Sequence, residues 1–171
     1  MPVLGLGVYR TPPRETERCV REAVEVGYRL IDTAQYYRNE EGVGRAVRGA
    51  MADGVAREDL FVTTRLAASG YRAGRRAIKS SLRALDLDWI DLMLIHWPYG
   101  DDARTWRALE EACSAGLLRS IGLSNFYGRQ VEEIVRAAEI LPVVDQVETH
   151  VLYQQRRLAR LLTPHAIRVE A

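Results

Sequence analysis

The feature that most constrains this chain is a repeat of pattern. A short apolar run followed by an amphipathic stretch occurs six times, and a seventh apolar run then begins. The runs are Val3 to Val8, Tyr28 to Ile31, Phe61 to Thr64, Ile90 to Ile95, Leu118 to Leu123, Val143 to Val147 and Ala166 to Val169. Their length suits strands, and their apolar continuity predicts strands covered on both faces. Between them, helical spacing of small and apolar residues predicts six helices, each with one buried stripe. The first stripe is Cys19, Val20, Ala23 and Val24, the second Val43, Ala46, Val47 and Ala50, and the third Ala77, Ile78, Ser81, Leu82 and Leu85. The later ones are Trp106, Leu109, Ala112 and Cys113, then Val131, Ile134, Val135 and Ala138, and finally Leu158, Leu161 and Leu162. Pro12 and Pro13 suit the start of the first helix and Gly27 its end. Asn39 is placed to cap the second, with Glu40 and Glu41 in the first turn, where the helix dipole favours acids. Strand-helix alternation without a linker or low-complexity segment predicts a single domain over residues 1–171, with helices covering a parallel sheet.

Bulk properties narrow the function. Net charge is +1 with both signs interspersed, so nothing favours nucleic acid or an anionic membrane as partner. No apolar run approaches the ~20 residues of a membrane span. The opening Met1-Pro2-Val3-Leu4-Gly5 has no basic n-region or cleavage site, so secretion is not expected and a cytoplasmic location is. Cys19 and Cys113 read as small core residues, with no disulfide framework. No metal is expected, because His150 and His165 lack partners at ligand spacing. Of the 24 basic residues only Lys79 is lysine, a skew that lets any single arginine stand in for a lysine.

Two architectures share this alternation. A doubly wound sheet would carry G-x-G-x-x-G between its first strand and helix. Here Gly5-Leu6-Gly7 is followed by Arg10 where the third glycine belongs, and Gly42 and Gly44 fall inside a predicted helix. A parallel barrel is therefore preferred, and such barrels build their sites at the C-terminal tips of the strands. The second run ends in Asp32 with Tyr37 close behind, the third in Arg65 and the fourth in His96. Four groups able to carry or steer protons at one rim point to proton-assisted chemistry on a small molecule. Taken singly, Asp32 can be a turn cap and Tyr37 a surface aromatic. Tyr36, Tyr99 and Tyr153 read as packing or rim residues, and Arg75, Arg76, Arg156 and Arg157 as a solvated face.

Several segments together resemble the aldo-keto reductases, NADP(H)-dependent enzymes on a TIM-type (β/α)8 barrel. They are Gly5-Leu6-Gly7, the stretch from Gly27 to Tyr37, Asn39 to Gly44, Phe61 to Thr64, Leu94-Ile95-His96-Trp97-Pro98, Ile121 to Phe126 and Gln146-Val147-Glu148. The resemblance implies hydride transfer from a nicotinamide to an aldehyde or ketone, giving an alcohol, with Tyr37 as proton donor. It implies Asp32 as partner of a cation that eases proton loss from the phenol, and His96 as the group that orients the carbonyl. Ser124, Asn125 and Gln146 match positions that hydrogen-bond the nicotinamide carboxamide, and Trp97 is a pocket wall in that reading.

Two departures stand out. The lysine position of the family reads Arg65, whose planar fork is larger and does not give up a proton. Arg65 is expected to pair with Asp32 and to displace Tyr37; drift in an arginine-rich chain is preferred over a specialised chemistry. Asp145 also stands where many relatives would carry a neutral amide. The second departure is length. A full barrel takes ~250 residues, so the expectation is an incomplete barrel of about six βα units plus the start of strand seven. By the resemblance, the C-terminal part and the N-terminal hairpin are expected to be missing, leaving open edges for self-association. Alternatives to a working carbonyl reductase are a catalytically impaired truncated remnant and a non-enzymatic module that binds or senses cofactor.

Overall fold

A computed structural model describes residues 1–171. Seven strands alternate with six α-helices along the chain: β1 (Gly5–Gly7), α1 (Pro13–Glu25), β2 (Leu30–Asp32), α2 (Glu40–Ala52), β3 (Phe61–Leu66), α3 (Tyr71–Leu85), β4 (Leu92–Ile95), α4 (Asp102–Ser114), β5 (Ile121–Ser124), α5 (Arg129–Ala137), β6 (Val144–Gln146), α6 (Arg156–Leu162) and β7 (Arg168–Glu170). All neighbouring pairs are parallel, and the sheet order is the chain order, β1 to β7. A sheet wound in chain order with a helix on every crossover is the parallel barrel that the alternation predicts, in the incomplete (β/α)8 form that the resemblance and the length imply. β1 and β7 are its two edges and do not pair with each other. No helix is long and apolar enough to cross a membrane.

The core lies mainly between the helices and the outer face of the sheet. Thirty-one buried residues form one cluster there, whereas the inner face holds a cluster of only three, Leu92, Leu94 and Val144, with Phe61 against it. Strand β4 shows the division residue by residue: Met93 and Ile95 join the large cluster, Leu92 and Leu94 the small one. Gly44 is a packing glycine rather than a phosphate-loop glycine. A Cβ there would come within 1.9 Å of the Leu85 carbonyl oxygen, so its absence lets α2 close on the end of α3. Gly5 and Gly7 lie within β1, which removes them from any strand-to-helix phosphate turn.

Several local expectations are corrected. β1 is shorter than Val3 to Val8, and Val3 and Leu4 are exposed, because only Gly5 to Gly7 find a partner strand in β2. β7 begins at Arg168 rather than Ala166, since Ala166 adopts a left-handed conformation that ends the preceding turn. Asn39 occupies the N-cap position of α2 but makes no side-chain cap there. Its amide instead donates to the Val8 and Thr11 carbonyls, and its oxygen accepts from Thr33, which ties the tip of β1 to the tip of β2. Cys19 and Cys113 are free and only partly buried, at the margin of the helical layer rather than in its core.

At the N-terminal end of the sheet, its floor, Arg57 and Asp91 form a buried ion pair. Asp91 accepts from Arg57 at 2.6 Å and from the Val62 amide at 2.9 Å, and its other oxygen accepts from Trp89 and Arg119 at 3.3 Å. The guanidinium carbons of Arg57 and Arg119 lie 4.7 and 4.3 Å from the Trp89 ring centroid.

Candidate active site

The strands deliver polar or aromatic groups at or just beyond their C-terminal ends. Tyr9 follows β1 by two residues; Asp32, Ser124 and Gln146 are the last residues of β2, β5 and β6; Arg65 is one residue inside the end of β3; His96 follows β4. These tips surround a cavity of about 760 Å³, lined among others by Tyr37, Arg65, His96, Trp97, Asn125 and Gln146. The depression at the rim lies where the C-terminal ends of the parallel strands meet, with the βα connections rising around them.

Arg65 is the centre of the arrangement. One terminal nitrogen, Nη2, donates to both oxygens of Asp32 at 2.7 Å. The other, Nη1, donates to the Thr33 carbonyl at 2.8 Å and to the Tyr37 hydroxyl at 3.3 Å. The inner nitrogen reaches Gln146 Oε1 at 3.1 Å, and Nη2 also bonds that oxygen. Gln146 then turns its amide nitrogen onto Asp32 at 3.1 Å. Arg65 thus pairs with Asp32. It also reaches across the barrel interior to Gln146 and still keeps Tyr37 within hydrogen-bond distance.

Tyr37 lies on a one-turn 3-10 helix, Gln35–Tyr37, between extended Ala34 and left-handed Arg38. Partial burial pushes its phenol above the ordinary value, with Arg65 pulling the other way. His96 is buried, its Nδ1 has no partner, and burial followed by the charge of Arg65 lowers it to about 4. The imidazole is therefore neutral at physiological pH. It stacks on Trp97, with ring centroids 5.6 Å apart and planes 18° from parallel, and meets Tyr37 edge-on at 6.0 Å. Asn125 holds a left-handed backbone conformation, φ 62°, and its amide donates to the His96 carbonyl at 3.2 Å and to Ser124 Oγ at 3.0 Å. All eight residues singled out in the sequence, Asp32, Tyr37, Arg65, His96, Trp97, Ser124, Asn125 and Gln146, are thereby gathered at one rim. No group of three or more His, Cys, Asp or Glu side chains is arranged to hold a metal ion.

A model of the aldo/keto reductase family matches residues 3–170. The chain belongs to the aldo/keto reductase family. Among relatives of this reductase-family chain, a methylglyoxal reductase DkgA of Yersinia pestis is 44% identical over 174 residues, and an aldo-keto reductase of Mycolicibacterium vanbaalenii is 43% identical over 176. Each alignment takes in 100% of this chain and 62% of the relative, so the chain spans less than two thirds of the length of these reductases. An aldo/keto reductase structure from Brucella melitensis superposes with a TM-score of 0.94 at 40% identity, over 100% of this chain and 66% of the other. A Bombyx mori aldo-keto reductase in complex with NADP gives 0.92 at 37%, over 100% and 62%.

Tyr9, Arg10 and Glu148 line the cavity as well, and no role falls to them from the sequence. The rule that picks Asp32, Arg65 and His96, a polar group at a strand tip, reaches Tyr9 and Glu148 when applied to β1 and β6. Tyr36, read as a packing or rim residue, also lines the cavity, 5.4 Å from His96 between ring centroids. Glu170 ends β7 opposite Gln146, and burial raises its pKa.

Proposed function

We propose that this chain carries the site of an NADP(H)-dependent carbonyl reductase that converts a small aldehyde or ketone to an alcohol. The observation that carries the reading is the contact of the Tyr37 hydroxyl with Arg65 at 3.3 Å, inside a cavity that His96 and Trp97 also line. Tyr37 holds a proton at neutral pH and is placed to give it to a carbonyl oxygen. The fixed charge of Arg65 then stabilises the phenolate left behind, so the donor loses its proton more readily than its burial alone would allow. Asp32 balances that charge and keeps the guanidinium from swinging into the cavity. His96, being neutral, offers a hydrogen bond without competing as an acid. Trp97 supplies an apolar wall against which the carbon skeleton of the substrate can lie.

The residues present fit a nicotinamide carboxamide, which needs one acceptor and one donor. Asn125 commits its amide nitrogen to the His96 carbonyl and Ser124 and leaves its oxygen uncommitted beside the cavity. Ser124 retains its hydroxyl proton for donation, and Gln146 borders the same space. When bound, the reduced nicotinamide supplies the hydride for the carbonyl carbon.

Methylglyoxal, the compound in the name of the Yersinia pestis relative, is the first substrate to try. NADPH oxidation at 340 nm with methylglyoxal should be measurable for the chain, and Tyr37→Phe should reduce it by ~10² or more while leaving NADPH affinity within a few-fold. Equal rates for the two proteins would remove Tyr37 from the mechanism. One observation favours the impaired alternative. Arg65 spends its donors on Asp32, Thr33, Tyr37 and Gln146, and its hold on Gln146 leaves that amide less free for a ligand. Absence of turnover together with unchanged NADPH binding in Tyr37→Phe would support that alternative.

A further inference from the structure

The 3-10 turn that carries Tyr37 has almost no framework of its own. Its backbone bonds are Tyr37 to the Ala34 carbonyl at 3.0 Å and Arg38 to the Gln35 carbonyl at 3.2 Å, and it has no side-chain cap. Something outside must hold the phenol where it stands. The first residue of the turn, Gln35, does not face the cavity. Its Oε1 accepts from the Ala67 amide at 3.0 Å, and its Nε2 donates to the Ala77 carbonyl at 2.8 Å and to Ser81 Oγ at 2.9 Å. Ala77 and Ser81 belong to the buried face of α3.

Ala67 gives these bonds their significance. It directly follows β3, two residues after Arg65. Consecutive residues of that strand end therefore serve different parts of the site. Arg65 bonds the Tyr37 hydroxyl, the Leu66 carbonyl accepts from the His96 amide at 3.1 Å, and the Ala67 amide is held by Gln35. One carboxamide thus grips both ends of the Tyr37–Arg65 contact: the turn that carries the phenol and the strand end that carries the guanidinium.

We propose that Gln35 is a positioning residue for the reaction, setting the separation of the Tyr37 hydroxyl from Arg65 by fastening the tyrosine turn to the tip of β3 and to α3. The inference rests on the reading of Tyr37 as proton donor. An amide suits the task because it presents one acceptor and two donors in a plane, matched here to one N–H, one carbonyl and one hydroxyl. A turn released from these bonds can carry the phenol out of line by an ångström, a misplacement that can cost ~10² in rate.

The test uses Gln35→Met, which keeps the volume and loses all three bonds, Gln35→Ala as a second truncation, and Gln35→Glu as the conservative variant. Each is read in two ways: NADPH-dependent reduction of methylglyoxal, and pH titration of the Tyr37 Cζ signal in protein labelled with ¹³C-tyrosine, assigned with Tyr37→Phe. In Gln35→Met, kcat should fall ~10- to 100-fold with KM nearly unchanged, and the Tyr37 titration should move down toward that of a free phenol as the turn leaves its buried position. Gln35→Glu, which retains the acceptor for Ala67, should recover part of both. A Tyr37 titration and kcat in Gln35→Met indistinguishable from wild type overturn the proposal, and Gln35→Ala is read by the same two criteria should the methionine variant not fold. The titration separates this inference from the one beneath it. If Tyr37→Phe is as active as wild type, the donor assignment fails, while a shifted Tyr37 signal in Gln35→Met still shows that Gln35 positions the turn.

Discussion

Two Arg–Asp pairs sit at opposite ends of the same sheet, Arg57–Asp91 buried on both sides and Arg65–Asp32 with its acid partly exposed, and their surroundings differ. At the N-terminal end Asp91 has four donors on its two oxygens, and Arg57 also donates to the Leu60 and Trp89 carbonyls. The partners of Asp91 are the Val62 amide and the side chains of Arg57, Trp89 and Arg119, and none of these residues lines the rim cavity. At the C-terminal end Arg65 and Asp32 are also paired at 2.7 Å, but two of their further partners, the Tyr37 hydroxyl and the Gln146 amide, border the cavity. The same kind of ion pair is closed off in one place and borders a cavity in the other. Whether its neighbours can exchange the pair for something else decides which.

The comparison is broken most directly by removing the acid from each pair. Asp91→Ala leaves Arg57 charged and buried, with the Val62 amide unpaired, and should cost about 3 to 5 kcal/mol of stability. Asp32→Ala should cost about half as much, because Arg65 keeps the Thr33 carbonyl, Tyr37 and Gln146 and faces a cavity that water can enter. Urea denaturation at neutral pH reads both. Equal losses would mean that the upper pair is as structural as the lower one.

A third acid has neither arrangement and sharpens the contrast. Asp145 is fully buried on β6, one oxygen has no partner, and the other accepts only from the Phe126 amide at 3.5 Å. Burial pushes its pKa up from 3.8 to about 7. The folded chain then keeps a proton that the unfolded chain releases, so the contribution of Asp145 to stability falls as pH rises from about 4 to about 7 and stays low above that. Asp145→Asn should match wild type near pH 4 and exceed it above pH 7, by at most ~4 kcal/mol. His96, lowered from 6.5 to about 4, works in the opposite sense and costs stability as pH falls through that interval. The two slopes oppose each other in wild type, and His96→Gln should expose the fall due to Asp145. A pH-independent difference between Asp145→Asn and wild type would show that residue 145 is not titrating in this range.

The parts of this molecule that could be read in advance are those governed by period and by position along a strand. Alternation of apolar runs and helical stripes is a local property, and it yields the order of strands and helices because each crossover simply adds the next parallel neighbour. Residues at strand tips share that advantage, which is why Asp32, Arg65 and His96 stand out. Contacts that span the barrel interior do not. The reach of Arg65 from β3 to Gln146 on β6 depends on the diameter of the interior and on the length of the arginine, neither of which leaves a periodic trace. Asn39 misleads for a related reason. Its type and place fit a helix cap, but a tertiary demand, joining Thr33 to the carbonyls of Val8 and Thr11, takes its side chain instead. Gln35 gives no signal because its three partners come from 32 to 46 residues away.

The smallest change is the most informative about the difference between the two ends. Arg57→Lys at the floor cannot serve the Leu60 carbonyl, the Trp89 carbonyl and Asp91 together from a compact ammonium, so it should destabilise clearly. Arg65→Lys keeps the charge on Asp32 and gives up the span to Gln146 and the Thr33 carbonyl, bonds of about 1 kcal/mol each. Together these bonds are worth about 2 kcal/mol, and water reaching Gln146 from the cavity offsets part of that, so the net loss should be about 1 kcal/mol. Gln146, no longer drawn toward the guanidinium, would turn its amide to the cavity, and NADPH should bind several-fold more tightly, read by quenching of protein fluorescence. A large loss of stability in Arg65→Lys would place the upper pair with the floor after all. Unaltered NADPH affinity would mean that the hold of Arg65 on Gln146 does not reach the ligand, and that the two ends differ in exposure but not in what they offer.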